Sequence, residues 1–166
     1  MYMRFVLTLL LGTIWLCSCQ SEKLPVNSLA GRVTEGTSDG RILFRIIADG
    51  SNPAKDYFEI SSENGKVLIT GNSDLSLATG LNWYLKYVAG IHLSWNNPSQ
   101  NLPEVLPLPE EKIRQETAMK NRYYLNYCTY SYSMAFWDWE RWEKEIDWMA
   151  LHGINMPLSI TGMEVV

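Results

Sequence analysis

The sequence predicts an α/β protein, a small two-layer α/β domain followed by a strand–helix–strand unit. Three observations predict it. Short runs of β-forming residues, bounded by turn residues, recur between residues 42 and 70. Two longer stretches, near residues 74–88 and 138–152, carry apolar residues at three- and four-residue spacing. A proline-rich stretch between them divides the chain into two regions.

The elements follow in order. Residues 1–19 read as an export leader, with Arg4 ahead of an apolar run from Phe5 to Leu16 that is too short for an ordinary membrane-spanning helix. The run ends in Leu16-Cys17-Ser18-Cys19, which has the form of a lipobox, a small residue standing before the cysteine to be acylated. Cleavage before Cys19 and its lipidation are expected, and with them an exported, bacterial, lipid-anchored protein on the periplasmic or outer face of the envelope. A plain cleaved signal peptide is the alternative. Residues 20–40 are expected to form a tether, since Gln20 to Asn27 is polar and carries one proline.

The N-terminal α/β domain is expected over residues 41–96. Ile42 to Ala48 is a strand between Asp39-Gly40 and Asp49-Gly50. Tyr57–Ile60 and Lys66–Thr70 form a hairpin through Asn64-Gly65, a pair suited to left-handed turn positions. A helix follows, capped by Ser73 or Asp74, with Leu77, Leu81, Tyr84, Leu85 and Val88 on one face and Gly90 as its stop. Ile91 to Trp95 is expected to return as a strand. Residues 97–118 then read as a proline-rich linker or extended wrap.

From residue 119 the character changes. Tyr123 to Tyr130 reads as an aromatic strand, and Asp138 caps a helix that runs to about His152 and stops at Gly153. Its apolar face is expected to hold Trp139, Trp142, Ile146, Met149 and Ala150, and its charged residues, Glu145 included, are expected in solvent. Ile154 to Ile160 is a second strand, with Pro157 tolerable only at a bulge or edge.

Composition narrows the functional classes. The net charge of −4, with no long basic run, excludes a nucleic-acid partner held by phosphate contacts. With Cys17 removed and Cys19 acylated, Cys128 is the one remaining thiol, so no disulfide framework is expected. His92 and His152 stand far apart without metal-ligand spacing, and neither metal nor cofactor is expected. The 7 Trp and 9 Tyr residues suit either a packed core or a carbohydrate surface, and core is the better reading.

Two stretches make the reading specific. Arg122 to Ser133, and Phe136-Trp-Asp-Trp-Glu-Arg-Trp-Glu-Lys-Glu-Ile-Asp-Trp-Met-Ala-Leu-His-Gly-Ile-Asn155, closely resemble the α-N-acetylglucosaminidase family, glycoside hydrolase family 89. Residues from about Ile42 to Trp95, notably Gly80-Leu-Asn-Trp-Tyr-Leu-Lys86 and His92-Leu-Ser-Trp95, are similar to that family's small N-terminal domain. The resemblance implies that residues 119–166 begin a catalytic (β/α)8 TIM-like barrel, truncated here to its first β-α-β unit. It also implies retaining hydrolysis of terminal α-linked N-acetylglucosamine from glycans by two glutamates, both downstream of residue 166, so that no catalytic residue is expected in this chain.

By the same resemblance, Asn126 and Cys128 fall on positions that line the sugar subsite, at the C-terminal end of a barrel strand where such folds do their chemistry. Where the family reads Gly-Gln-Glu, this chain has Gly162-Met163-Glu164, and Glu164 is expected to be structural. A retaining pair needs two carboxyl groups about 5–5.5 Å apart, which the charged helix face does not supply. The chain is therefore expected to be inactive alone. Two alternatives stand beside it, a non-catalytic carbohydrate-binding lipoprotein and a chain whose helix docks on a partner that completes the sheet.

Overall fold

The computed structural model describes residues 24–47, 55–126, 128 and 132–158. Its first element is helix α1, Pro25–Val33, inside the segment expected to be a tether. Pro25 opens the helix, where its missing N–H costs nothing and its fixed φ suits the first turn. Val26, Leu29, Ala30 and Val33 then recur at helical spacing and are all buried. That apolar stripe, in an otherwise polar segment, is the reason the tether reading fails over these residues.

A four-stranded sheet follows, built of β1 (Ile42–Ile46), β2 (Asp56–Glu63), β3 (Lys66–Gly71) and β4 (Ile113–Thr117) in the order β1-β3-β2-β4. β1 runs parallel to β3, with Ile42 opposite Val67, and β2 is antiparallel to both β3 and β4. The hairpin turn has Asn64 at φ 52 and Gly65 at φ 75, as a type I′ turn requires. Helix α2, Asp74–Tyr87, begins where the Ser73 side chain accepts from the Ser76 amide, and its backbone leaves the helix before Gly90 at φ 69.

Period two in the strands separates the faces of the sheet. Ile42, Phe58, Ile60, Val67 and Ile69 meet α1 and α2 in one core. The other face carries ion pairs, among them Arg45–Glu63, Lys55–Glu116 and Lys112–Glu59. Leu77, Leu81, Tyr84 and Leu85 of α2 are each 0% exposed, and each such burial contributes about 2 kcal/mol relative to exposure. This is the two-layer α/β domain that the sequence predicts, with two helices on the covered face where one was expected.

Two segments differ from expectation. Ile91 to Trp95 forms no strand; Ile91 and Leu93 point into the core, and the backbone makes a single bridge, Ser94 with Asn97. Alternating burial here comes from side-chain packing alone, because both edges of the sheet lie elsewhere, at β1 and β4. The expected linker over residues 97–118 is a wrap that ends in a strand. Leu102 is buried, the Gln100 amide donates to the Val33 carbonyl at 3.0 Å, and the Tyr84 hydroxyl donates to the Pro107 carbonyl at 3.0 Å. β4 then completes the sheet, its Arg114 lying between Glu59 at 2.9 Å and the Tyr57 ring at 4.0 Å.

The last third is a strand–helix–strand unit. β5 (Tyr123–Tyr124) pairs in parallel with β6 (Met156–Pro157), and the elements between them include a 3-10 turn (Met134–Phe136) and helix α3 (Trp139–Leu151). Both strands are shorter than expected among the described residues, and Pro157 lies at the end of its pairing. Helix α3 packs on α2, with Leu151 entering the main core and Gly153, at φ 70, closing the helix. A Cβ at residue 153 would stand 3.1 Å from the Thr79 hydroxyl, so the stop also permits close approach of the two helices.

Candidate functional site

Helix α3 starts where the Asp138 carboxylate accepts from the Arg141 amide at 2.9 Å, as the sequence predicts. The helix then presents its charged residues differently from expectation. Trp139 is 69% exposed and Ile146 45%, whereas Glu145 is 0% and Asp147 6% exposed. Asp138, Glu140 and Lys144 are exposed as expected, but the solvated-face reading fails at Glu145 and Asp147, because cations and ring donors of three other segments converge on these acids.

Glu145 is the centre of the larger cluster. Its Oε2 accepts from the Trp95 indole N–H at 2.5 Å and from the Arg141 guanidinium at 2.9 Å, and its Oε1 accepts from the Tyr124 hydroxyl at 2.8 Å. Arg141 lies over the Trp137 ring at 3.9 Å and the Trp95 ring at 4.9 Å. Trp137 meets Trp142 edge to face at 5.1 Å. A guanidinium so enclosed gains from both the carboxylate and the ring quadrupoles. The Tyr124 phenol is pushed up to about 12, by desolvation first and then by its hydrogen bond to Glu145 and that group's charge.

Two further arginines close the seam between the regions. Arg32, from the last turn of α1, grips Asp147 with two hydrogen bonds of 2.6 Å, and these raise its pKa above the ordinary value. Arg122, just before β5, donates to Asp56 of β2 and to the Gly153 carbonyl, while its own amide donates to the Asn155 side chain at 2.9 Å. The start of β5, the end of α3 and the edge of the sheet are thereby held together.

The end of β5 carries the residues predicted to face sugar. Leu125 adopts φ 76, a left-handed conformation costly for a branched side chain, directly before Asn126. Asn126 is exposed, and Cys128 is an exposed free thiol rather than a packed core residue. An Asn amide both donates and accepts, which suits sugar hydroxyls, and a thiol adds a small, weakly polar wall. No acid stands with them among the described residues of this strand end. Met163 and Glu164, like Cys19 and the leader, lie outside the described residues. Among the described residues no group of three or more His, Cys, Asp or Glu side chains is arranged to hold a metal.

The buried acids are what the sequence reading missed. One signal was available, the Arg141 and Glu145 spacing of one helical turn, which marks a local ion pair but not its burial. The Trp95, Tyr124 and Arg32 partners are distant in sequence and have no local signature.

Comparison with known proteins agrees with this architecture. The N-terminal-domain model of α-N-acetylglucosaminidase matches residues 24–108, and the TIM-barrel-domain model matches residues 122–166. The chain belongs to the α-N-acetylglucosaminidase family. Human α-N-acetylglucosaminidase is 38% identical over 117 residues, covering 70% of this chain and 16% of the human protein. Among solved structures, the family 89 glycoside hydrolase from Clostridium perfringens bound to 2-acetamido-1,2-dideoxynojirmycin is 38% identical with a TM-score of 0.76, covering 84% of this chain and 16% of that one. The same organism's enzyme in complex with its substrate GlcNAc-alpha-1,4-galactose is 40% identical with a TM-score of 0.71, covering 81% of this chain and 15% of that one. The chain thus spans about a sixth of the length of these relatives, as their N-terminal region and the start of the barrel domain.

Proposed function

We propose that this chain is the N-terminal part of a retaining glycosidase that removes terminal α-linked N-acetylglucosamine from glycans, and that it is inactive without the rest of the barrel. The observation that carries the reading is the pair of family matches in family order, joined by a seam in which Asp56, Glu145 and Asp147 each have an arginine partner. Those carboxylates are committed to holding α3 and β5 in place, and a retaining mechanism needs two acids free to act on the sugar. Asn126 and Cys128 supply one wall of the subsite in this reading, and the glycan is the partner.

The test joins residues 1–166 to the remaining barrel of the Clostridium perfringens enzyme. The chimera is expected to release p-nitrophenol from p-nitrophenyl N-acetyl-α-glucosaminide, and the isolated chain to release none above blank. A folded but inactive chimera, or activity in the rigorously purified chain, overturns the proposal.

Exposed aromatics favour one second reading, a non-catalytic carbohydrate-binding lipoprotein. Tyr132 is 84% exposed, Phe136 85% and Trp139 69%, and flat rings in water are natural stacking platforms for sugars. Calorimetry with N-acetylglucosamine discriminates, since saturable heat from the isolated chain favours this second reading. Both readings include a lipid anchor at Cys19 in a bacterial envelope. Labelling with an alkynyl fatty acid in a bacterial host is expected to mark the native chain and its Cys17→Ser variant but not Cys19→Ser. A labelled Cys19→Ser chain removes the anchor from the proposal.

A further inference from the structure

We propose that Glu145 is a positioning residue: by joining Trp95 of the N-terminal domain to Tyr124 of β5, it fixes the strand end that carries Asn126 and Cys128. The proposal rests on the glycosidase reading for the purpose of that strand end, and on geometry for everything else. Three donors reach one carboxylate from three parts of the chain, Trp95 from the segment between α2 and the wrap, Tyr124 from β5 and Arg141 from α3 itself.

Burial energy alone does not account for an acid at this place. Glu145 is 0% exposed, and Met149, one turn further along the same helix, shows that an apolar side chain packs at this seam. A buried ion pair usually stabilises no more than a well-packed apolar substitute. What the carboxylate adds is direction. Its two oxygens fix where an indole N–H and a phenol O–H must stand, and so fix β5 against the N-terminal domain. The first residue after β5 is Leu125 in its left-handed conformation, which turns the chain toward Asn126. A strained turn keeps its shape only where its flanks are held. Here the preceding residue, Tyr124, is held by its side chain to Glu145 and by its carbonyl, which accepts from the Leu158 amide at 3.0 Å.

Trp95→Phe and Tyr124→Phe each remove one donor and keep a ring in place. Hydrogen exchange in the whole chain then reads two regions, the Leu158 and Met156 amides, which donate to the Tyr124 and Arg122 carbonyls, and the amides of β3, which report global opening. Trp95→Phe is expected to accelerate exchange at Leu158 and Met156 about tenfold, as loss of one hydrogen bond to a charged group implies, with β3 unchanged. Tyr124→Phe is expected to do the same, and the double variant to add little, because both act through one carboxylate. Unchanged exchange at Leu158 in Trp95→Phe overturns the proposal. So does equal acceleration in β3, which would make Trp95 a general stabiliser, or full multiplication of the two effects, which would make the contacts independent. No sugar enters the measurement, so its failure leaves the glycosidase reading standing, and an inactive chimera leaves the exchange result intact.

Discussion

The Arg32–Asp147 pair is unequal in its surroundings: the guanidinium is 40% exposed while the carboxylate is 8% exposed. Its two halves therefore fail differently. Arg32→Ala strands a buried carboxylate and is expected to cost about 2 kcal/mol, below the range for fully buried pairs because solvent already screens part of this one. Asp147→Asn leaves a guanidinium that water can reach and is expected to cost about 1 kcal/mol. Urea midpoints of the two variants check the order, and a larger loss in Asp147→Asn would contradict the burial argument. The tyrosines give a second residue-level expectation. Tyr84 and Tyr124 are both raised to about 12, chiefly by desolvation, so folding holds them protonated past the point where an unfolded tyrosine ionises near 10. Their contribution is complete below pH 10 and is lost as pH rises through about 12. Ultraviolet titration is expected to show two phenols whose ionisation is delayed to about pH 12, and Tyr124→Phe to remove one of them.

At the scale of the element, α2 is where sequence and structure agree most closely, and the reason is local chemistry. Its cap, its apolar spacing and its glycine stop all act over a few residues, and so does the Asn64-Gly65 turn of the hairpin before it. Ser73→Ala is expected to cost about 1 kcal/mol by freeing the Ser76 amide, read as a fall in thermal midpoint. Gly80→Ala tests packing against propensity on the same helix. Alanine suits a helix better by about 1 kcal/mol, but its methyl would stand 2.8 Å from Ile69 and 3.1 Å from Phe58. Overpacking is expected to win, with a net loss of about 1–2 kcal/mol. Elements that depend on distant partners were less legible. Helix α1 takes its stability from an apolar stripe lying on α2, and β4 takes its identity from β2, which precedes it by the whole of α2 and the wrap. Ile91 to Trp95 has the alternation of a strand but no ladder to join. At the site the same division holds. Asn126 and Cys128 were reached through the resemblance, whereas the burial of Glu145 and Asp147 is a property of the seam, which no single segment encodes.

At the scale of the whole chain, the seam makes the N-terminal sheet and the first barrel unit mutually dependent. Removing residues 120–166 exposes the α2 surface covered by α3, frees Arg32 and Trp95 from their acids, and removes Leu151 from the core. The four-stranded sheet and both of its helices remain, so the fragment 24–119 is expected to fold cooperatively with a lower urea midpoint than the full chain. Cutting nine residues further back tests the wrap instead. The fragment 24–110 loses β4, and with it the cover on the edge of β2 and the Lys112 and Arg114 partners of Glu59, which lie at 2.7 and 2.9 Å. An uncovered edge strand offers a row of unpaired backbone groups to any neighbour. The shorter fragment is therefore expected to be less stable again by about 2 kcal/mol or more, and to self-associate where 24–119 stays monomeric. Circular dichroism in urea and light scattering measure both. Equal midpoints and equal masses for the two fragments would mean that β4 is an accessory to the sheet, and that the wrap ends, in energetic terms, before Ile113.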